Sequence, residues 1–171
     1  KLEHDLLPIL IEMTAHGVRI DEEQTSKIDK QIDRESKALL TSIKQETGVD
    51  LEVWNARSVA KVFDSFKLTY PRTEKTEAPS FTKGFLETHP HPVVQKILEI
   101  RALAKTRSSF VEKLQRHTVK GRVHAQINQI RSDDGGTVTG RFSMSNPNLQ
   151  QLPRRNKKIG SMVRALFLPD E

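Results

Sequence analysis

The chain has 171 residues, 35% of them hydrophobic, which is enough for one good core or two small subdomains. It has no cysteine, so disulfides and thiolate chemistry are excluded, and its six scattered histidines make no zinc-finger pattern. No apolar run reaches the length of a membrane span, and no signal-peptide pattern opens the chain.

The net charge of +6 is unevenly spread. Residues 101–171 hold half of the 28 Lys and Arg but fewer than a quarter of the 22 Asp and Glu. A basic excess concentrated in this way favours a polyanionic partner, because each phosphate neutralised by Lys or Arg releases condensed counterions.

In chain order, Leu2, Leu6, Leu10 and Met13 recur at helical spacing, and Gly17 is a natural stop. Val18 to Ile20 follows as a short extended piece. Asp21 with Gln24 three residues on reads as a capping box that opens a second helix. Ile28, Ile32, Leu39 and Ile43 lay one apolar stripe along it, its other faces are charged, and Gly48 ends it. Asn55 caps a third helix carrying Val59, Val62, Phe63 and Phe66. Residues 69–80 have loop composition, after which Ser80 or Thr82 starts a brief helix through Leu86. His89-Pro90-His91-Pro92 breaks that helix, and Pro92 suits the first turn of the next. Val93, Ile97, Ile100 and Ala104 line one side of this long helix, and Leu103, Phe110 and Leu114 continue the stripe as it drifts.

The periodicity changes after Gly121. Val123, Ala125 and Ile127 alternate with His124, Gln126 and Asn128, which predicts one strand. Ser132 to Gly136 is a strong turn signal, with Asp133-Asp134 as turn formers rather than metal ligands. Thr137-Val138-Thr139 then returns as a second strand. Phe142 to Pro153 is expected to be irregular but ordered, with Phe142 and Leu149 as anchors to the core. Met162 to Phe167 reads as a short helix or a strand. The fold class expected is α+β, mostly helical, with a helical part to about residue 118 and a β-containing part after it.

Some chemistry-bearing patterns have plain readings. His89 and His91, separated by Pro, are held extended and do not converge on a metal, so they read as a rigid helix-entry turn. No glycine-rich phosphate cradle occurs. Trp54 and Tyr70, the only Trp and Tyr, read as core or packing-edge residues, because base-stacking aromatics usually come in sets. Arg101, Lys105, Ser108 and Glu112 share one helix face flanked by Arg107, Lys113 and Arg116, which is either a solvated face or a phosphate-contacting one.

The segment Thr139 to Arg155 is different in kind. Arg141 is a permanently charged planar fork, and in a minor groove such a fork bonds O2 of pyrimidines and N3 of purines, acceptors present on all four base pairs. Asn148, Gln150 and Gln151 add neutral donors and acceptors for sugars, phosphates and base edges. Pro147 and Pro153 stiffen the path, and Arg155 and Arg164 add charge for phosphates. The chemistry is that of a loop which checks duplex shape.

The same segment, Thr139-Gly140-Arg141-Phe142-Ser143-Met144-Ser145-Asn146-Pro147-Asn148-Leu149-Gln150-Gln151-Leu152-Pro153-Arg154-Arg155, resembles the first palm motif of family A DNA polymerases, T-G-R-x-S-x-x-x-P-N-L-Q-x-x-P-x-R. Leu7 to Met13 with Gly17 to Asp21 is similar to the family's lead into the polymerase domain. Asn55 to Phe63 looks like its N-x-x-S-x-x-Q helix, with Ala60-Lys61 in the usual Gln region, and Arg101 to Phe110 like its long thumb helix. Ser80 to Lys83 and the His-Pro-His-Pro turn look most like phage-type members.

The resemblance implies a lead-in helix and strand over 1–20, a helical thumb over 21–118 and the start of a palm over 119–171. It implies that Arg141, with Ser143 in the same motif, probes the minor groove near a primer terminus. Asn148, Gln150 and Gln151 would contact primer–template DNA close by. Lys105 and Arg107 would hold the duplex backbone, and Arg155 and Arg164 would lie near phosphates or brace the palm. It further implies a DNA-directed DNA polymerase of the bacterial cytoplasm that uses deoxynucleotide triphosphates and Mg²⁺. The metal-binding carboxylates would belong to a D-Y-S-x-x-E-like motif beyond this chain, so that the chain alone is inactive and its open palm edge is prone to self-association. Two other readings stand beside this one: a stand-alone, non-catalytic DNA-binding module, and a docking arm whose acidic first hundred residues meet a clamp or helicase.

Overall fold

Asp21 opens the longest helix as the capping rule requires: its Oδ1 accepts from the Gln24 amide at 2.7 Å. The computed structural model describes residues 2–131, 136–153 and 157–170. The helices are α1 (Leu2–His16), α2 (Glu22–Thr47), α3 (Ala56–Ser65), α4 (Lys83–Thr88), α5 (Pro92–Thr106), α6 (Glu112–His117) and α7 (Lys157–Arg164). The strands are β1 (Val18–Arg19), β2 (Thr118–Val119), β3 (Arg122–Val123), β4 (Gln126–Asn128) and β5 (Ser143–Ser145). The chain is therefore α+β and mostly helical. Its contacts gather into two compact units, Lys1–Asp29 with Thr106–Glu171, and Lys30–Lys105.

The second unit is built on Phe63, which is fully buried and touches Tyr70, Phe81, Phe85 and His89 at ring centroid distances of 4.8–6.1 Å. Val59, Val62, Leu86, Val93, Val94 and Ile97 close around it. The caps are local and follow the residue types. Asn55 Oδ1 accepts from the amides of Arg57 and Ser58, and Thr82 Oγ1 accepts from that of Phe85. His89 and His91 form the helix-entry turn: His91 Nδ1 accepts from the Val93 amide, and the His91 ring lies 4.7 Å from that of Phe66. Tyr70 is a packing-edge residue, its hydroxyl donating to Asp64 Oδ1. Trp54 is not, being 64% exposed.

In the first unit β1, β3 and β2 form an antiparallel sheet in that order. Ile20, Val111, Leu114, Val123, Val163 and Leu166 pack as its core residues. Gly17 joins α1 to β1 at φ +66, and a Cβ there would stand 2.8 Å from both Val123 O and His124 Nδ1. Only glycine fits that turn. The last described residues return to β1: Asp21 N donates to Leu166 O, and Leu168 N to Arg19 O.

Four expectations need correction. Val123 to Ile127 is not one strand but the ends of two, β3 and β4, in separate sheets. Thr137-Val138-Thr139 forms no strand, and Val138 is 76% exposed. The partner of β4 is instead β5, within the stretch expected to be irregular, in the register Gln126↔Ser145, Ile127↔Met144, Asn128↔Ser143. The long helix is interrupted by a π turn at Arg107–Val111, where the Glu112 amide bonds to Arg107 O five residues back. That turn shifts the stripe, so that Val111 rather than Phe110 is fully buried. Asp133 and Asp134, expected to form a turn, lie outside the described residues.

Candidate nucleic-acid interface

Asn128 is the polar pin of the loop that carries the candidate site. It is buried in β4, and its Nδ2 donates to Ser145 Oγ at 3.1 Å and reaches Ser143 Oγ at 3.5 Å. Ser143 is thus occupied in holding β5. After β5 the chain turns through Asn146, at φ +52, and a cis bond to buried Pro147. Asn148 Oδ1 then accepts from the Gln150 amide at 3.0 Å and starts a 3₁₀ turn, Leu149–Gln151. Gln150 reaches back, its Nε2 donating to Phe142 O at 3.1 Å.

Arg141 sits where these ties converge. Thr137 Oγ1 donates to Arg141 O at 2.7 Å, and Thr139 Oγ1 donates to Thr137 Oγ1 at 3.2 Å. Gly140 precedes it at φ +69, and Arg141 is exposed. Among the described residues no group pairs with its guanidinium. Phe142, expected as a core anchor, is 42% exposed; Leu149 is half-buried. The anchoring falls to Pro147 and to backbone hydrogen bonds instead. Gln151 is exposed, as is Arg164 in the last turn of α7.

The basic residues of the long helix do not behave alike. Arg107 is half-buried and grips Asp29 with both arms of its fork, Nε to Oδ1 at 2.7 Å and Nη2 to Oδ2 at 3.1 Å. Glu112 stands 3.7 Å from the same nitrogen. A fork committed to a carboxylate has little left for a phosphate. Lys105 is exposed at the end of α5, in the other unit, and borders a recess there. Arg101 donates from Nε to Val53 O and from Nη1 to Phe81 O, and burial lowers its pKa from the ordinary value. Arg155 lies outside the described residues. The structure therefore brings together Arg141, Ser143, Asn148 and Gln150 in one loop. The sequence reading missed Asn128 and Asp29. A polar residue at an inward strand position was a signal for the first; nothing local marked the second.

Among the described residues no group of three or more His, Asp or Glu is placed to hold a metal ion. The expectation places the magnesium ligands beyond this chain, and no step is routed through that metal.

A family model for DNA polymerase family A matches residues 22–171. The chain belongs to this family. Among curated relatives it is 34% identical over 180 residues to DNA polymerase DpoZ of Vibrio phage phiVC8, which covers 99% of this chain and 28% of that protein. It is 33% identical over 177 residues to the thermostable DNA polymerase I of Thermus filiformis, covering 100% of this chain and 20% of that protein. The chain thus spans less than a third of the length of these family A relatives. Among solved structures, the polymerase domain of Pol1 from M. smegmatis, in complex with DNA primer-template and dNTP, matches at a TM-score of 0.75 and 24% identity. That match covers 95% of this chain and 28% of the other, and it is a likeness of fold. No helix among the described residues is long and apolar enough to cross a membrane.

Proposed function

We propose that this chain is the thumb and opening palm of a DNA-directed DNA polymerase, with a lead-in over 1–20, the thumb over 21–118 and the palm from 119. It grips primer–template DNA and senses the primer end. Nucleotidyl transfer from deoxynucleotide triphosphates, with Mg²⁺, is the work of carboxylates elsewhere in a longer polymerase of the bacterial cytoplasm. One observation carries the reading: the exposed Arg141 fork stands on a loop tied from both sides, by the Thr137 hydroxyl and the Gln150 amide. A charged donor whose backbone is held is partly preorganised for a ligand, since less loop entropy remains to be lost on binding. Minor-groove acceptors common to all base pairs suit a group that must judge geometry without reading sequence. Asn148, Gln150, Gln151 and Arg164 extend the contact, with Lys105 on the duplex backbone. Ser143 and Arg107 serve chiefly as braces, through Asn128 and Asp29. The open edges of the β4–β5 pair make self-association a side property.

The test is fluorescence anisotropy with labelled duplexes of several sequences at rising salt, beside a primer-extension assay with Mg²⁺. The expected result is sequence-tolerant binding that weakens steeply with salt, and no extension. Failure to bind any duplex at low salt would overturn the grip, and extension by the pure chain would overturn the division of labour.

A further inference from the structure

The unit Lys30–Lys105 carries a recess of about 580 Å³ that the primer-end reading touches only at Lys105. Trp54, Phe81, Lys83, Leu98, Arg101 and Lys105 line it, and among the described residues no carboxylate does. Trp54 is its unusual member. At 64% exposed it presents a large aromatic surface at the recess. The indole is also fixed in place. The Arg101 guanidinium lies over the ring at 5.2 Å from its centroid, and that guanidinium is itself anchored to Val53 O at 3.0 Å and Phe81 O at 2.9 Å. One ring face is thus braced by a cation held through two hydrogen bonds. Lys83 pairs with Glu87 at 3.4 Å, but both side chains are well exposed, and such a pair yields readily to a phosphate.

We propose that this recess takes an unpaired nucleotide of a single DNA strand, its base against Trp54 and its flanking phosphates on Lys83 and Lys105. The chemistry favours a strand over a duplex, because a paired base shows only its edges whereas an indole needs a base face. It favours nucleic acid over a peptide, because the lining is cationic and aromatic with no acidic group to answer a peptide's amines. The inference rests on the DNA-binding reading but assigns an unpaired strand to this recess, which shares only Lys105 with the duplex contact.

Trp54 is the chain's single tryptophan, so its emission reports this site alone. The chain is titrated with oligo(dT) and, separately, with a blunt duplex of equal length, with occupancy followed by anisotropy. Quenching of the tryptophan by oligo(dT) but not by bound duplex is the expected result. Trp54→Ala should weaken oligo(dT) binding roughly 5- to 100-fold, with duplex affinity unchanged. Trp54→Phe, which keeps an aromatic face, should retain most of it, and circular dichroism checks that each variant folds. Bound oligo(dT) with unaltered emission, or Trp54→Ala binding as the wild type does, overturns the site while duplex binding still stands, and leaves the recess to a protein partner. A chain that binds neither form overturns both readings.

Discussion

Arg107 and Asp29 are 78 positions apart in sequence and form a two-pronged ion pair at 2.7 and 3.1 Å. The pair is half-buried, with side chains 38% and 23% exposed, so it lies between the surface case, worth little, and the buried case, where an orphaned charge is expensive. Arg107→Ala is expected to destabilise the fold by about 1–2 kcal/mol, because Asp29 is left without its fork. Arg107→Lys should recover only part of this, since an ammonium does not make the paired contact. Urea unfolding of both variants checks it. An Arg107→Ala chain as stable as the wild type would return Arg107 to the phosphate-binding group.

That pair also marks where the sequence stops being legible. The helix starts at Asp21, Asn55 and Thr82 are readable because a cap is a local event, settled between a side chain and an amide two or three residues on. The partner of β4 is not local. Thr137-Val138-Thr139 has the better strand composition, yet Ser143–Ser145 pairs with β4, because its two hydroxyls satisfy buried Asn128. The π turn is visible only as a five-residue step between buried Thr106 and buried Val111, where a regular helix takes three or four. Of the candidate site, Arg141, Asn148 and Gln150 were legible as a motif. The exposure of Phe142 and the engagement of Arg107 depend on contacts that no local pattern records.

Gly17→Ala should destabilise strongly. Its φ of +66 strains any side chain, and the new Cβ would press on Val123 O, a backbone atom that cannot give way without disturbing the pairing of β1 with β3. A loss of about 1–3 kcal/mol is expected from the strain. Gly140→Ala is the control: its φ is +69 but nothing stands near the added Cβ, so the loss should be smaller. Thermal unfolding of the two variants ranks them, and equal melting points would refute the contact argument.

Acid should loosen the return of the chain to β1. The hydrogen bond from His16, and then that from Arg122, hold the Asp170 carboxyl below the ordinary carboxylate range. A depressed carboxylate stabilises fully above its unfolded pKa, near 4, and this stabilisation is lost as pH falls through the lower folded value. Glu46 is depressed in the other unit, first by its bond from Lys96 and then by that from Ser42. Melting temperature measured from neutral to strongly acid pH should therefore fall below about pH 4. Asp170→Asn and Glu46→Gln should each flatten part of that fall. Wild-type slopes in both variants would show that the two carboxylates titrate alike in folded and unfolded chains.

Thr137 holds the Arg141 backbone while the guanidinium carries the charge, and the two contributions separate by mutation. Arg141→Ala removes the donor and should weaken binding to a recessed primer–template by on the order of 1–3 kcal/mol, while leaving blunt-duplex affinity nearly unchanged. Thr137→Val keeps the charge but deletes the 2.7 Å bond that fixes the Arg141 carbonyl. It should therefore lower the preference for the recessed end without changing the salt slope, since no phosphate contact is lost. Arg164→Ala should do the reverse, reducing the slope by about one and leaving the end preference intact. Anisotropy titrations on both DNA forms across a salt series read all three. If Thr137→Val and Arg164→Ala gave the same pattern, Arg141 would be acting as one more diffuse charge, and the loop's internal hydrogen bonds would have no part in primer-end sensing.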